Sequence, residues 1–463
     1  MSMAPINPSI FREYDIRGVA DRDLTDETAR AIGRAFGTLL VRKGGKKVAV
    51  GRDARLSSTR LFTALTDGLR QTGLEAVEVG VCPTPLLYYA LHRLPVDGGV
   101  MITGSHNPKE YNGFKLCLGT ETLHGPAVQE IHAMIRSGDF VTRSAGGISK
   151  SEIIPPYIEE LKQRFSAVPA GGLKVVLDSG NGTAGPVAPA VLRGMGCEVI
   201  ELFSEPDGRF PNHHPDPTLP ENLTHLIAEV RNRKADVGIG YDGDSDRIGA
   251  VDEKGEVLFG DRLTLLFARA VLEERPGATI ISEVKATHLL YQDVEKRGGK
   301  GVMWKAGHSL IKAKMRELKA ELGGEMSGHI FFADRYYGYD DAIYASCRLV
   351  EILAKARRPL SALLSDLPET FATPEIRVDC PDDRKFSVVE RLKQRLSKPG
   401  SGLNIKELID VDGVRLVFED GWALIRASNT QPALVLRFEA DTPERLNEIR
   451  RVTEGHVQSE LSH

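Results

Sequence analysis

One order of elements recurs three times along the chain. An apolar, β-branched segment (KVAVG at 47–51, KVVLD at 174–178, ATIIS at 278–282) leads through a polar turn into a stretch with helical spacing of apolar residues, at 60–72, 187–195 and 289–296. Each predicted helix stops at glycine (Gly73, Gly196, Gly298–Gly299), the residue that accepts positive φ at a helix C-terminus. A second strand reading follows, at 75–79, 198–202 and 301–304. Each copy then reaches an apolar segment that ends in a polar loop, at 99–108, 236–247 and 322–329. Repeats on the order of a hundred residues apart are domains, not solenoid units. Strand–helix–strand alternation predicts α/β sheets with crossover helices, and in such sheets ligands gather at the carboxyl ends of strands, where all three loops fall.

The tail departs from this pattern. A Pro- and Thr-containing segment at 366–374 reads as a linker, and beyond it alternating segments at 375–379, 414–419, 422–427 and 433–439 flank helical readings at 385–396 and 443–460. This predicts a fourth, α+β domain with a largely antiparallel sheet. The expected fold is therefore three tandem homologous α/β domains with mixed sheets (1–150, 151–256, 257–366) and a C-terminal α+β domain (367–463). Composition is that of a globular chain: of 463 residues, 41% are hydrophobic and 27% charged, and the formal charge of −4 argues against binding nucleic acid or a membrane surface by charge. No apolar run approaches the roughly 18 residues that span a bilayer, and the first residues lack a signal-peptide pattern. Five scattered cysteines without a CxxC fit a reducing compartment and a cytoplasmic location.

The loops carry distinctive chemistry. In TGSHNP (103–108) Gly104 permits close approach, His106 and Asn107 can donate to an oxyanion, and Ser105 stands where a nucleophile or phosphoryl carrier would; an ordinary turn is the alternative. In DGDSDR (242–247) Asp242, Asp244 and Asp246 can turn several oxygens onto one hard cation, and three like charges crowded without a cation would be costly. An EF-hand is excluded because Arg247 stands where that turn needs glycine. The formal GxGxxG at 238–243 is no dinucleotide fingerprint, because it leads into three acids and another strand instead of a helix. In GEMSGH (324–329) Glu325 and Ser327 suit vicinal sugar hydroxyls, and His329 can move a proton. In RASNTQP (426–432) an arginine, two hydroxyls and an amide form a phosphate cradle.

Taken in order, TGSHNP, DGDSDR, GEMSGH and RASNT resemble the α-D-phosphohexomutase superfamily, and among its members the bacterial bifunctional phosphomannomutase/phosphoglucomutases. The resemblance spans essentially the whole chain. It implies a heart-shaped molecule with a central cleft and a mobile fourth domain. Ser105 would be a phosphoserine, with Mg²⁺ held by Asp242, Asp244, Asp246 and a phosphoserine oxygen. A hexose 1-phosphate would take the phosphoryl group on O6, turn over as a 1,6-bisphosphate and return its other phosphate to Ser105; glucose 1,6-bisphosphate would act as activator. Glu325 and Ser327 would hold the sugar, while Arg426, Ser428, Asn429 and Thr430 would grip the idle phosphate. Tyr14 and Arg17 would face the cleft, Lys115 would assist proton transfer beside Ser105, His106 and His329 would be further catalytic residues, and Arg247 would sit by the transferring phosphate. Lys285 and His308 would contact phosphate or sugar. Phosphosugars would be the only partners of a monomer.

Gly104 and Met326, where phosphoglucosamine mutases usually carry alanine and glutamine, tilt the expectation toward glucose and mannose phosphates. A phosphoglucosamine mutase is the alternative enzyme. A noncatalytic phosphosugar-binding protein would not need a phosphoryl carrier with its metal, and a serine phosphatase would release inorganic phosphate.

Overall fold

The computed structural model describes residues 6–397, 404–429 and 431–462. The threefold recurrence is built as three sheets with one shared order. In the first, strand Lys47–Arg52 lies between Glu75–Val81 and Gly98–Ile102, parallel to both, and Tyr111–Leu118 adds antiparallel beyond Gly98–Ile102. In the second, Lys174–Asp178 lies between Glu198–Leu202 and Val237–Tyr241, with Ile248–Asp252 antiparallel beyond. In the third, Thr279–Glu283 lies between Lys300–Trp304 and Leu322–Gly324, with Ile330–Phe332 antiparallel beyond. The three polar loops therefore occupy one topological place: the hairpin leaving a buried parallel strand at its carboxyl end. Each of those strands is apolar or glycine throughout, or ends in a single tyrosine, and is buried on both faces, as crossover helices covering a parallel sheet require.

The fourth sheet is antiparallel throughout, with Gly421–Ala427 and Ala433–Ala440 at its centre. Among the strands not foreseen are two that lie at expected domain boundaries. Phe371–Ala372, inside the expected linker, pairs with Ala433–Ala440, and the flanking residues are tied down by Arg262 Nη2 donating to Thr370 Oγ1 (2.8 Å) and by Asp366 accepting from Arg269 (2.8 Å). The segment is thus part of the sheet edge, not free chain. Val257–Leu258, immediately past the expected end of the second domain, pairs back onto Ile248–Asp252, because the intervening turn closes through Gly255 at φ 86° and the Asp252 carboxylate, which accepts from Lys254 and Glu256 N–H.

The largest apolar core is shared. It runs without a break from Ala49 and Met101 of the first sheet through Val175, Leu177 and Ile239 of the second to Ile280, Leu322 and Phe332 of the third. A tyrosine cluster seals the junction, where Tyr157 Oη donates to both Asp341 oxygens (2.9 Å each) and Tyr336 stacks on Tyr344 with centroids 3.9 Å apart. The tail has its own core and docks on the third sheet through Trp422, Leu424 and Val284.

Candidate active site

Ser105 is 2% exposed and holds φ at 48°, a left-handed conformation that strains any residue but glycine. Arg55, itself buried, keeps it there. Its guanidinium donates to the carbonyls of Ser105 (2.7 Å), Asn107 (2.5 Å), Pro108 (2.6 Å) and Tyr111 (3.0 Å), while Nε pairs with Asp53 (3.2 Å). Asp53 in turn accepts from Gly104 N–H (3.0 Å). A Cβ on Gly104 would lie 2.4 Å from Arg55 Nε, so glycine at this position lets the loop pack against the guanidinium.

Ser105 Oγ donates to Asp242 Oδ2 at 2.7 Å and lies 3.1 Å from His106 Nδ1. Asp242, Asp244 and Asp246 are fully buried, and their facing oxygens lie within 4.8 Å of one another. Lys115 relieves that crowding: its ammonium donates to Asp244 (3.2 Å) and to Asp246. Thr84 Oγ1 donates to the same Asp244 oxygen (2.6 Å), which leaves Asp244 Oδ1 buried with no hydrogen-bond partner among the described residues. Three buried carboxylates, two of them (Asp244 and Asp246) with an oxygen that has no hydrogen-bond partner among the described residues, beside a serine hydroxyl are a hard-oxygen donor set that suits a divalent cation such as Mg²⁺. The charges are unequal. Burial and its two neighbours push Asp242 well above the usual carboxylate range. Burial opposes ionisation of Asp246 too, but Lys115 and His329 hold it well below.

The loops 242–247 and 324–329 are stitched together. Arg247 and His329 form an antiparallel bridge, and Ile248 N–H donates to Gly328 O at 3.0 Å. His329 lies between two carboxylates, with Nε2 3.2 Å from Asp246 and Nδ1 3.1 Å from Glu325 and 3.2 Å from Ser327 Oγ. Burial disfavours its cation, but Asp246, with Glu325, raises it to about 9. His308, with ring centroid 5.4 Å away, goes the other way: burial, then Lys312 and Lys115, drive it well below the ordinary histidine range. His106 is likewise depressed by burial and by Arg247 and Arg17. One imidazolium among neutral imidazoles gives the site distinct proton donors and acceptors near neutral pH.

From the tail, Arg426 Nε donates to Asp412 (3.0 Å), which also accepts from Ala306 N–H (3.1 Å) of the third-sheet region. Asn429 Nδ2 donates to Tyr14 Oη, and Tyr14 Oη donates to Ala306 O (2.6 Å), so the first, third and fourth parts meet here. Ser428 is buried beside them, with Oγ accepting from Gln431 N–H (3.1 Å). Thr430 lies outside the described residues. Arg17 donates to Asn107 Oδ1 (2.9 Å) in the serine loop. Lys285 is held between Glu375 (2.6 Å) and Glu283 (3.4 Å) at the junction of third and fourth sheets. Within the Glu325 carboxylate, Oε1 accepts from Gly307 N–H (2.6 Å), the N-cap of the helix His308–Leu318.

Sequence reasoning missed Arg55, Asp53 and Thr84, and also Asp340, whose buried carboxylate pairs with Lys312 (2.8 Å) and lies 3.7 Å from His308 Nδ1. The signal for the first pair was present: Gly-Arg-Asp-Ala-Arg at 51–55 crowds charges at a strand's carboxyl end. Asp340 and Asp341 stand side by side before an apolar helical run, where only the second acts as the cap, its side chain accepting from Tyr344 N–H.

Family models cover nearly the whole chain. The model for phosphoglucomutase/phosphomannomutase alpha/beta/alpha domain I matches residues 8–142, domain II 155–255, domain III 259–371 and the C-terminal domain 375–454. A phosphomannomutase/phosphoglucomutase of Pseudomonas aeruginosa is 47% identical over 457 residues, 98% of this chain and 97% of that protein. A phosphoglucomutase of Neisseria gonorrhoeae is 42% identical over 99% of this chain and 98% of its own. The crystal structure of a phosphoglucomutase/phosphomannomutase family protein from Burkholderia thailandensis superposes with a TM-score of 0.91 at 42% identity, covering 98% of both chains.

Proposed function

The chain belongs to the phosphoglucomutase/phosphomannomutase family, and we propose that it interconverts the 1-phosphates and 6-phosphates of glucose and mannose by way of a phosphoserine at Ser105. The observation that carries this reading is the 2.7 Å contact of Ser105 Oγ with Asp242 in a nest of three buried aspartates. A serine hydroxyl pointed into a cation site is how a phosphoryl carrier, and not a simple sugar-binding surface, is built.

Asp242, Asp244 and Asp246, with an oxygen of phosphorylated Ser105, would hold Mg²⁺. When bound, the ion supplies charge neutralisation for the phosphoryl oxygens. The protein's own groups do the rest. Arg55 fixes the loop that presents Ser105. Lys115 keeps Asp244 and Asp246 ionised, and with Arg247 places positive charge beside the transferring group. Glu325 and Ser327 hold two adjacent sugar hydroxyls, and His329, bonded to both, is placed to pass a proton to or from the reacting hydroxyl. Phosphoserine gives its phosphoryl group to O6 of a hexose 1-phosphate. The resulting 1,6-bisphosphate turns over within the site, and O1 then returns its phosphoryl group to Ser105, releasing hexose 6-phosphate. Arg426, Ser428, Asn429 and Thr430, with Tyr14, Arg17, Lys285 and His308 at the margins, grip whichever end is not reacting. Five buried free cysteines accord with a cytoplasmic enzyme, which we take to act as a monomer.

A Mg²⁺-dependent assay primed with glucose 1,6-bisphosphate on glucose, mannose and glucosamine 1-phosphates tests the reading. Comparable turnover of glucose and mannose, falling by several orders of magnitude in Ser105→Ala, is expected. Dominant glucosamine turnover would move the substrate, and no isomerisation by phosphorylated protein would overturn the enzyme.

A further inference from the structure

A cavity of about 450 Å³ opens between the first and third α/β units and includes none of the residues assigned to substrate or metal above. Its floor is Lys312, Tyr88 and Tyr339, all at least nine-tenths buried, and exposed Arg275, Arg316 and Lys319 stand at its rim. The lining holds four cations against one carboxylate, Glu321, and that carboxylate is engaged by Thr279 N–H (2.8 Å). The rim charges are poorly neutralised. Arg275 donates to a backbone carbonyl, that of Asp334, and the nearest carboxylate to Arg316 is the mostly exposed Glu121 at 3.5 Å. Tyr88 contributes its ring to the inner wall, with the Lys312 ammonium 4.1 Å from the ring centroid. Concave basic pockets of this size suit small charged metabolites.

We propose that this cavity is a second anion site, which takes a compact diphosphate without a sugar, such as pyrophosphate, between Lys312 and the rim arginines and acts on the histidines His308 and His329 through Lys312 and Asp340. Lys312 is the shared element. Its ammonium donates to Asp340 Oδ1 (2.8 Å), while the other Asp340 oxygen lies 3.7 Å from His308 Nδ1 and 3.9 Å from His329 Nε2. An anion that draws Lys312 into the cavity leaves Asp340 to those two imidazoles alone, which shifts their placement against Glu325 and slows transfer. The ligand would also bridge two units whose loops must stay in register. Binding stands independently of the mutase reading; only the effect on rate rests on it.

Calorimetric titration of pyrophosphate tests the site, in metal-free buffer with the protein saturated by glucose 1,6-bisphosphate so that the substrate phosphate cradle is filled. One further binding event per chain is expected, weakened about tenfold or more in the double variant Arg316→Glu, Lys319→Glu, a loss of about 1.4 kcal/mol. Both positions are exposed and remote from the chemistry, so the variant's own mutase turnover without pyrophosphate should stay near wild type. With free Mg²⁺ held constant, pyrophosphate should lower wild-type turnover at saturating substrate and spare the variant. No second event, an event equally strong in the variant, or one that glucose 1,6-bisphosphate displaces would overturn the proposal. The binding arm reads out even if the chain isomerises no sugar, which separates failure of this site from failure of the mutase reading.

Discussion

Ser105 is held in a conformation that costs a non-glycine residue on the order of 1–3 kcal/mol, and Arg55 is the group that opposes that cost. A lysine at 55 keeps the charge but cannot reach four carbonyls at once. Arg55→Lys should therefore lower kcat by about a hundredfold with KM little changed, since the sugar contacts lie elsewhere. Steady-state kinetics check this, and a rise confined to KM would refute the positioning role. Lys115 makes a different case. Among the described residues it is the only cation paired with both Asp244 and Asp246, so Lys115→Met leaves two buried carboxylates without their ammonium. Unfolding of the metal-free variant should come about 3 kcal/mol easier than wild type, with the gap narrowing in Mg²⁺ because a cation takes over the lost role. Denaturant melts with and without metal read the difference directly.

Among the elements, the strand-end pair Lys285–Glu375 ties the third sheet to the fourth. Lys285 depresses Glu375 to about 2 against its ordinary 4.5, so the stability from this pair is full above 4.5 and fades as pH falls toward 2. Glu283, raised to about 7 chiefly by burial, is already protonated across that window and does not mask it. Lys285→Met should thus be less stable than wild type at pH 5, with the two curves converging on acidification; a constant offset would show the pair is not the cause. The three hairpin loops and most flanking strands were legible because periodicity and chemistry-bearing residues coincide there. Phe371–Ala372 and Val257–Leu258 were not, since a two-residue strand has no period and exists only by virtue of its partner. Arg55 escaped for a related reason: it binds backbone carbonyls, which leave no mark in side-chain spacing. The family resemblance implied a proton-transfer role for Lys115 beside Ser105, but its ion pairs with two aspartates from another sheet could be seen only once the sheets had met.

At the scale of the molecule, one continuous core carries the loops 103–108, 242–247 and 324–329, whereas the tail rests on a separate core. The joint is polar at its centre: Arg415, 1% exposed and 3.7 Å from the Trp422 ring centroid, donates to Val284 O (2.6 Å) and Ala286 O (2.9 Å) across the boundary. Arg415→Met keeps the volume but leaves two buried carbonyls unpaired, at about 1–3 kcal/mol each. Differential scanning calorimetry should then resolve a tail transition below that of the main body, where wild type melts as one; a single transition merely shifted would mean the two cores unfold together. The other joint, the antiparallel bridge of Arg247 with His329, has a consequence for descent. Because the two loops share backbone register, an insertion in one displaces the other's histidine or arginine, so selection can accept length changes in both together or in neither, and two motifs far apart in the gene are inherited as one.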